Sequence, residues 1–180
     1  MKIKFLKSVG NILPILSSLS ICDEQCLIVS HKKLLVVLNC LKLHINSQYN
    51  LLSCISGVDL LNSTYRFGVV YDLLSVTFNS RLRVKVFINE VTSVDSIVSI
   101  FTNANWWERE VWDLYGVYFN GHPDLRRILT DYGFEGYPMR KDFPLSGYVE
   151  LRYNQNKKRI VVEPLELTQD FRYFNFETPW

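Results

Sequence analysis

From Arg81 to Ile88 polar and apolar side chains alternate: Arg81, Arg83 and Lys85 fall on one side, Leu82, Val84 and Val86 on the other. A period of two marks a strand with one buried and one wet face. Residues 51–59 and 65–76 read as two further strands. Asn62-Ser63-Thr64 turns between them and Asn79-Ser80 leads into the strand at Arg81, so a hairpin is expected. Cys26-Leu27-Ile28-Val29-Ser30 is a shorter run of the same kind. Elsewhere the rhythm is helical. Leu34, Leu38, Leu41 and Ile45 trace one face. Trp107, Val111 and Leu114 trace another, in a helix from about Ala104 to Tyr115. Gly116 follows it, where a left-handed C-terminal cap favours glycine. Asn103 or Asn105 is placed to cap its start. Arg109 and Asp113 stand four apart on it and predict an ion pair of about 0.2–0.5 kcal/mol.

Weaker patterns predict three more helices. Residues 3–19 carry a mixed three- and four-residue apolar step, interrupted by Pro14, which kinks or ends a helix. Residues 94–101 predict a short helix, and Pro123 opens another over 123–129, with Asp124 well placed for its dipole. Beyond Thr130 periodicity fades, and Gly133, Gly136, Pro138, Pro144 and Gly147 punctuate the chain. A last hairpin is expected through 148–153 and 159–162, turning at Asn154-Gln155-Asn156. Residues 121–180 nevertheless hold eleven aromatics. A disordered tail is poor in aromatics, and a free domain shows periodic faces. An extended arm that buries its rings on another protein chain satisfies both points. The expected organisation is an N-terminal helical extension over 1–22, a domain of strands and helices over 23–120, and a partner-binding arm over 121–180.

Composition narrows the function classes. The chain has 180 residues and a formal charge of +2. Residues 1–120 carry 11 Lys+Arg against 9 Asp+Glu, and residues 121–180 carry 9 of each. Neither part is the basic patch that nucleic-acid binding requires. Lys2, Lys4 and Lys7 without an acid resemble a targeting peptide, but there is no Arg and no small-residue cleavage site, so a native amphipathic helix is the expectation. No run of 18 apolar residues is present to span a membrane. Ala104 is the one alanine, a bias that points to an AT-rich genome such as an organelle's. Cys22, Cys26, Cys40 and Cys54 lack the spacing of a zinc or redox motif. They read as buried free thiols rather than a four-thiolate metal site.

The chemistry-bearing residues concentrate between Asn105 and Tyr148. Glu108 and Glu110 lie roughly 200° apart on a helix and do not converge as an acid–base pair. His122 lacks an evident triad or metal-ligand partner. Gly133-Phe134-Glu135-Gly136 lacks the lysine and the strand–helix setting of a phosphate loop. Arg126-Arg127 and Arg140-Lys141 sit beside Asp124, Asp131 and Asp142, which favours ion pairs over phosphate contacts. Two alternatives remain alongside a structural role: a free-standing hydrolase using Glu108, Asp113 and His122, and a nucleic-acid-binding module using the basic pairs and the aromatics.

One long run of residues resembles a known family. Glu108-Arg109-Glu110, Asp113 and Gly116 are followed by the stretch Gly121-His122-Pro123-Asp124-Leu125-Arg126-Arg127-Ile128-Leu129. Asp131-Tyr132-Gly133-Phe134-Glu135-Gly136, Arg140-Lys141-Asp142-Phe143-Pro144-Leu145 and Gly147-Tyr148 complete it. Arg66-Phe67, Val69-Val70-Tyr71, Arg81 to Lys85, Phe171-Arg172, Phe174 and Pro179-Trp180 extend it in both directions. Together these resemble the thirty-kilodalton subunit family of respiratory complex I, also called NADH dehydrogenase subunit 9, of mitochondrial type. Trp107, Tyr137 and Met139 depart from the family pattern, which has Tyr, His, and Leu or Phe there.

The resemblance implies an α+β fold, two-layered, with a mixed sheet, helices mainly on one face and a long C-terminal arm. It implies a non-catalytic structural subunit of the hydrophilic arm of NADH:ubiquinone oxidoreductase, on the matrix side of the mitochondrial inner membrane. It implies no catalytic, cofactor-binding or metal residue on this chain, with FMN and iron–sulfur clusters on partner subunits. The forty-nine-kilodalton subunit of the complex is the chief expected partner. Glu108, Arg109, Glu110, Asp113, Gly116, His122, Pro123, Asp124, Arg126 and Arg127 are expected as a structural joint. Tyr132, Phe134, Arg140, Lys141, Phe143, Tyr148, Phe171, Arg172, Phe174 and Trp180 are expected at the partner interface.

Overall fold

The computed structural model of the chain describes residues 12–21 and 24–174. They fall into two units, residues 1–141 and residues 142–180.

The first unit is built on a five-stranded sheet of β1 (Ser17–Ile21), β2 (Glu24–Ile28), β3 (Leu51–Asp59), β4 (Phe67–Ser75) and β5 (Ser80–Ile88). Its order is β1-β2-β5-β4-β3. β2 and β5 run parallel and the other neighbours antiparallel, so the sheet is mixed. Register decides which half of each alternation is buried. Leu27, Val84, Tyr71 and Ile55 align across four strands, and all lie in the core. One step along, Leu19, Cys26, Arg83, Asp72 and Cys54 align on the opposite face. There Arg83 bridges Glu24 at 3.0 Å and Asp72 at 2.7 Å. The predicted division of β5 is thus what the sheet uses.

Two helices follow the predicted spacing: α1 (Leu34–Leu43) and α2 (Ala104–Tyr115). Leu34, Val37, Leu38 and Leu41 of α1, with Ala104 and Val111 of α2, join the core formed by the buried sheet face. The result is an α+β unit of two layers. The chain beside α2 is closed by a short parallel pair, β6 (Val94–Asp95) and β7 (Phe119–Asn120). Gly57 of β3 lets the end of α2 approach closely, since a Cβ there would lie 2.4 Å from a Tyr115 ring carbon. Gly57→Val is expected to displace α2 and destabilise the chain by about 1–3 kcal/mol, as overpacking does. An unshifted unfolding midpoint in denaturant would refute this account.

The three weak helical expectations differ from what forms, each for a physical reason. Ser17–Ile21, the end of the span expected as helix, is an edge strand paired with β2. Serine competes poorly as a helix interior residue, and β2 offers a free edge. Residues 1–11 and 22 of that extension lie outside the described residues. At 94–101 the chain gives β6 and then a turn closed by Phe101 N–H on the Ile97 carbonyl. Glu108 takes the Ile97 N–H and the Ser96 hydroxyl and so pins the chain that follows β6. At 123–129 no helix forms, because side chains of α2 capture the backbone groups that a helix would need.

The second unit contains the expected hairpin, β8 (Val149–Asn154) and β9 (Arg159–Pro164), paired antiparallel. The Asn154 side chain turns it, accepting from the N–H groups of Asn156 and Lys157.

Candidate functional site

Of the two helices, α2 carries the charged signature, and its buried side is unusual. Beside Ala104 and Val111 it buries Glu108, Arg109 and Asp113. Buried charge is costly unless paired or hydrogen-bonded, so each must have partners. They come from the chain on either side.

Asp113 is fully buried, and its carboxylate receives the irregular segment after β7. Oδ2 accepts from the N–H groups of Ile128, Leu129 and Thr130 at 3.2, 2.8 and 2.9 Å. Oδ1 accepts from the Thr130 hydroxyl at 2.7 Å and from Arg127 Nη1 at 3.3 Å. Burial pushes this acid up, but the Thr130 hydroxyl and the three N–H groups outweigh it and hold it below the usual carboxylate range. Arg109 grips the same segment by its carbonyls: Nε donates to Arg126 at 3.2 Å and Nη2 to Arg127 at 3.4 Å. The Arg109–Asp113 ion pair expected from spacing is therefore replaced. Each residue has backbone partners that a neighbour on the same helix cannot better.

Glu108 is also fully buried. It accepts from the Ser96 hydroxyl at 2.6 Å and the Ile97 N–H at 2.7 Å. Burial dominates these two bonds and raises its carboxyl to about 7. His122 Nε2 lies 3.8 Å away, on a ring whose side chain has no exposure. Its Nδ1 accepts from the Asp124 N–H, and Nε2–H donates to the Asn105 carbonyl at 3.1 Å. The imidazole is thus a turn-forming bridge, as its place before Pro123 suggested. Asn103 precedes α2 but makes no capping bond; its amide donates to the Leu52 carbonyl and ties the helix start to β3.

Gly116 ends α2 at φ +78°, the expected left-handed cap, with its N–H on the Trp112 carbonyl. The returning chain packs there. A Cβ on Gly116 would lie 2.7 Å from both the Tyr137 ring and Arg140 Nη2. Arg140 donates to the Tyr115 carbonyl at 2.8 Å and to Glu90 at 2.5 Å, with its guanidinium over the rings of Phe67 and Tyr137. Arg127 lies over Phe134 and Tyr137 and donates to the Gly136 carbonyl. The last tie is Asp59, at the end of β3, which binds Arg66 through both oxygens and the Lys141 N–H at 2.9 Å. Motif reasoning misses Asp59. Its signal is an acid at a position that strand alternation assigns to the buried face.

The structure therefore divides the residues expected at a partner interface. Phe134, Arg140 and Lys141 take part in contacts within the first unit. Tyr132 projects fully into solvent, and in the second unit Tyr148, Phe171 and Phe174 are exposed. There Phe143 packs edge-on against Tyr148, and Arg172 lies over Phe174. Trp180 lies outside the described residues. Of the joint residues, Asp124 and Arg126 form an exposed pair at 2.9 Å, while Pro123 is exposed and Glu110 half-buried.

Residues 27–149 match the family described as respiratory-chain NADH dehydrogenase, 30 Kd subunit. The chain is 57% identical over 157 residues to NADH-ubiquinone oxidoreductase subunit 9 of Reclinomonas americana, covering 87% of this chain and 77% of that one. It is 61% identical over 140 residues to NADH dehydrogenase [ubiquinone] iron-sulfur protein 3 of Arabidopsis thaliana, covering 78% and 74%. Among solved structures it is similar to a chain of the membrane-bound sulfane sulfur reductase, an archaeal respiratory membrane complex. That likeness has a TM-score of 0.67 at 25% identity, over 79% of this chain and 85% of the other. The words iron-sulfur in some relatives' names invite a test of the donors. Clusters are held by converging thiolates. Cys26 and Cys54 lie on the sheet face opposite the helices, whereas Cys40 is on α1 against the core. Among the described residues no group of three or more His, Cys, Asp or Glu converges, so these residues do not fit a cluster. This chain is a member of the thirty-kilodalton subunit family of the respiratory-chain NADH dehydrogenase.

Proposed function

We propose that this chain is a structural subunit whose α2 seam makes a rigid mount for neighbouring subunits of NADH:ubiquinone oxidoreductase. The observation that carries this is the commitment of the signature charges. Arg109, Asp113, Arg127 and Arg140 hold backbone in place, and Glu108 and His122 are sealed from solvent. A substrate would find no free acid–base pair among them, which disfavours the hydrolase reading. The basic pairs are likewise engaged, Arg126 with Asp124 and Arg140 with Glu90, which disfavours phosphate binding. The chain serves the hydrophilic arm of the complex, and activity belongs to the assembled enzyme. In this reading the forty-nine-kilodalton subunit is its chief neighbour, it lies peripherally on the matrix side of the mitochondrial inner membrane, and FMN and the clusters reside on other subunits. Among the described residues no helix is long and apolar enough to cross a membrane.

Removing residues 142–180 tests the reading. The cut lies beyond Lys141, whose N–H completes the Asp59 site, so the first unit is expected to fold and melt cooperatively. Full-size complex is expected to disappear from native gels of mitochondria carrying this truncation, with NADH:ubiquinone reductase activity at background. Normal assembly and activity of the truncated chain would overturn it.

A further inference from the structure

Asn120 and Gly121 form the one Asn–Gly step in the chain. Such a step is open to attack by its own backbone. The nitrogen of the second residue can close a five-membered ring on the side-chain amide carbon of the first, and glycine has no Cβ to obstruct it. Most backbone N–H groups in a fold are tied into a ladder or helix, which holds the nitrogen away from such attack. Here that protection stops one residue short. Asn120 is the last residue of β7. Gly121 lies beyond it, and among the described residues its N–H makes no backbone hydrogen bond. Both residues are exposed, and Gly121 stands at φ +77° with nothing within 4 Å of where a Cβ would lie. The backbone thus has open space in which to turn toward the amide.

The amide has a partner that makes its chemistry matter. Asn120 Nδ2 donates to Asp95 Oδ1 at 3.3 Å, and the two residues are paired in the register of β6 and β7. An amide there satisfies the acid. A carboxylate there opposes it, and like charges directly opposite destabilise a strand pair. The pair in turn touches what holds α2. The Asn120 carbonyl accepts from the Ser96 N–H at 2.9 Å, and the Ser96 hydroxyl donates to Glu108. On its other side Gly121 precedes His122, whose ring bonds the Asn105 carbonyl in the first turn of α2.

We propose that Asn120–Gly121 is a self-modifying site, which converts to aspartyl and isoaspartyl forms and thereby loosens the β6–β7 pair beside α2. The Gly121 nitrogen loses its proton and bonds to Asn120 Cγ. The Cγ–Nδ2 bond breaks, and the nitrogen takes up a proton and leaves as ammonia. Water then opens the cyclic imide, so the net change is one water consumed and one ammonia released, with no oxidant or cofactor. Opening at Cγ leaves a carboxylate in place of the amide, facing Asp95. Opening at the main-chain carbon routes the chain through Cβ and Cγ and makes it one atom longer, which displaces Gly121 and His122. The chemistry is intrinsic to the chain and does not depend on which subunits surround it.

The test ages the purified full-length chain at mildly alkaline pH and follows it by peptide mass spectrometry. Exchange of amide nitrogen for oxygen is expected first at Asn120, well ahead of the Asn–Ser steps at Asn62 and Asn79. The same peptide should accept methyl groups from a protein isoaspartyl methyltransferase. The aged wild-type chain should lose thermal stability, while Asn120→Gln, which keeps an amide but would need a six-membered ring, should not. Asn120→Asp, a mimic of one product, should melt below the wild type, and adding Asp95→Asn should restore its melting temperature. Conversion at Asn120 no faster than at Asn62 and Asn79 overturns the site. An unchanged melting temperature for Asn120→Asp, or one that Asp95→Asn does not restore, overturns the consequence for the strand pair.

Discussion

Asp113→Ala is expected to destabilise the chain by about 3–5 kcal/mol, the usual loss when one member of a buried charged network is removed. Three N–H groups, the Thr130 hydroxyl and the Arg127 guanidinium would lose their acceptor together. The chain cannot recover these bonds by forming a helix at 126–130, since Arg109 still occupies the carbonyls of Arg126 and Arg127. Denaturant unfolding of the purified chain gives the measurement, and a loss below about 1 kcal/mol would contradict it. The acid limb should change too. A depressed carboxyl contributes its stability in full above its unfolded value, about 3.9, and loses it as pH falls through the lower folded value. That part of the acid-induced loss should vanish in the variant.

Glu108→Gln is expected to act in the opposite direction. Below about 4.5 the acid is protonated in folded and unfolded chains alike. Between there and about 7 the folded chain keeps the proton that the unfolded chain releases. Folding then binds a proton, so stability falls as pH rises and levels off above 7. At about 1.4 kcal/mol per pH unit, the loss amounts to about 3 kcal/mol. Glutamine is neutral throughout, and its carbonyl can still accept the Ile97 N–H while its amide donates to Ser96. The variant should match the wild type near pH 4 and exceed it by up to about 3 kcal/mol at pH 8. Parallel stability–pH curves for the two proteins would show that Glu108 is not held protonated. The comparison also asks whether the ionised, less stable form matters in the assembled enzyme.

Strands β3 and β5 and both helices are legible because each buries one face, and burial of one face writes a period into the sequence; β4, buried at nearly every residue, is legible instead as an apolar run. β1 reads as helix because an edge strand beside a solvent-facing row leaves only a weak period, and Leu13 with Leu16 imitates a helical step. The helix expected at 123–129 fails for a different reason. Asp113 and Arg109 compete for its backbone, and a backbone N–H is the same at every residue, so no side-chain pattern reveals the competitor. The i,i+4 rule pairs Arg109 with Asp113 because it sees a single helix; the structure sets each against a segment 14 to 18 residues away. Arg140 shows the same limit. A charged residue in an aperiodic stretch reads as surface, yet its guanidinium is stacked between Phe67 and Tyr137. The signature itself can be recognised, but its physical role cannot be read without the fold.

The ties of the first unit also have an order in time. During synthesis the N-terminal end of a chain emerges first, so α2 leaves the ribosome after Ser96 and Ile97, which satisfy Glu108, but before the residues that satisfy Arg109 and Asp113. Asp113 waits for Thr130, and Asp59 waits for Lys141, 82 positions later. Until then Asp113 and Arg109 stand on the buried side of the helix without their backbone partners. Residue 141 acts as a latch: the Asp59 site is completed only when it arrives.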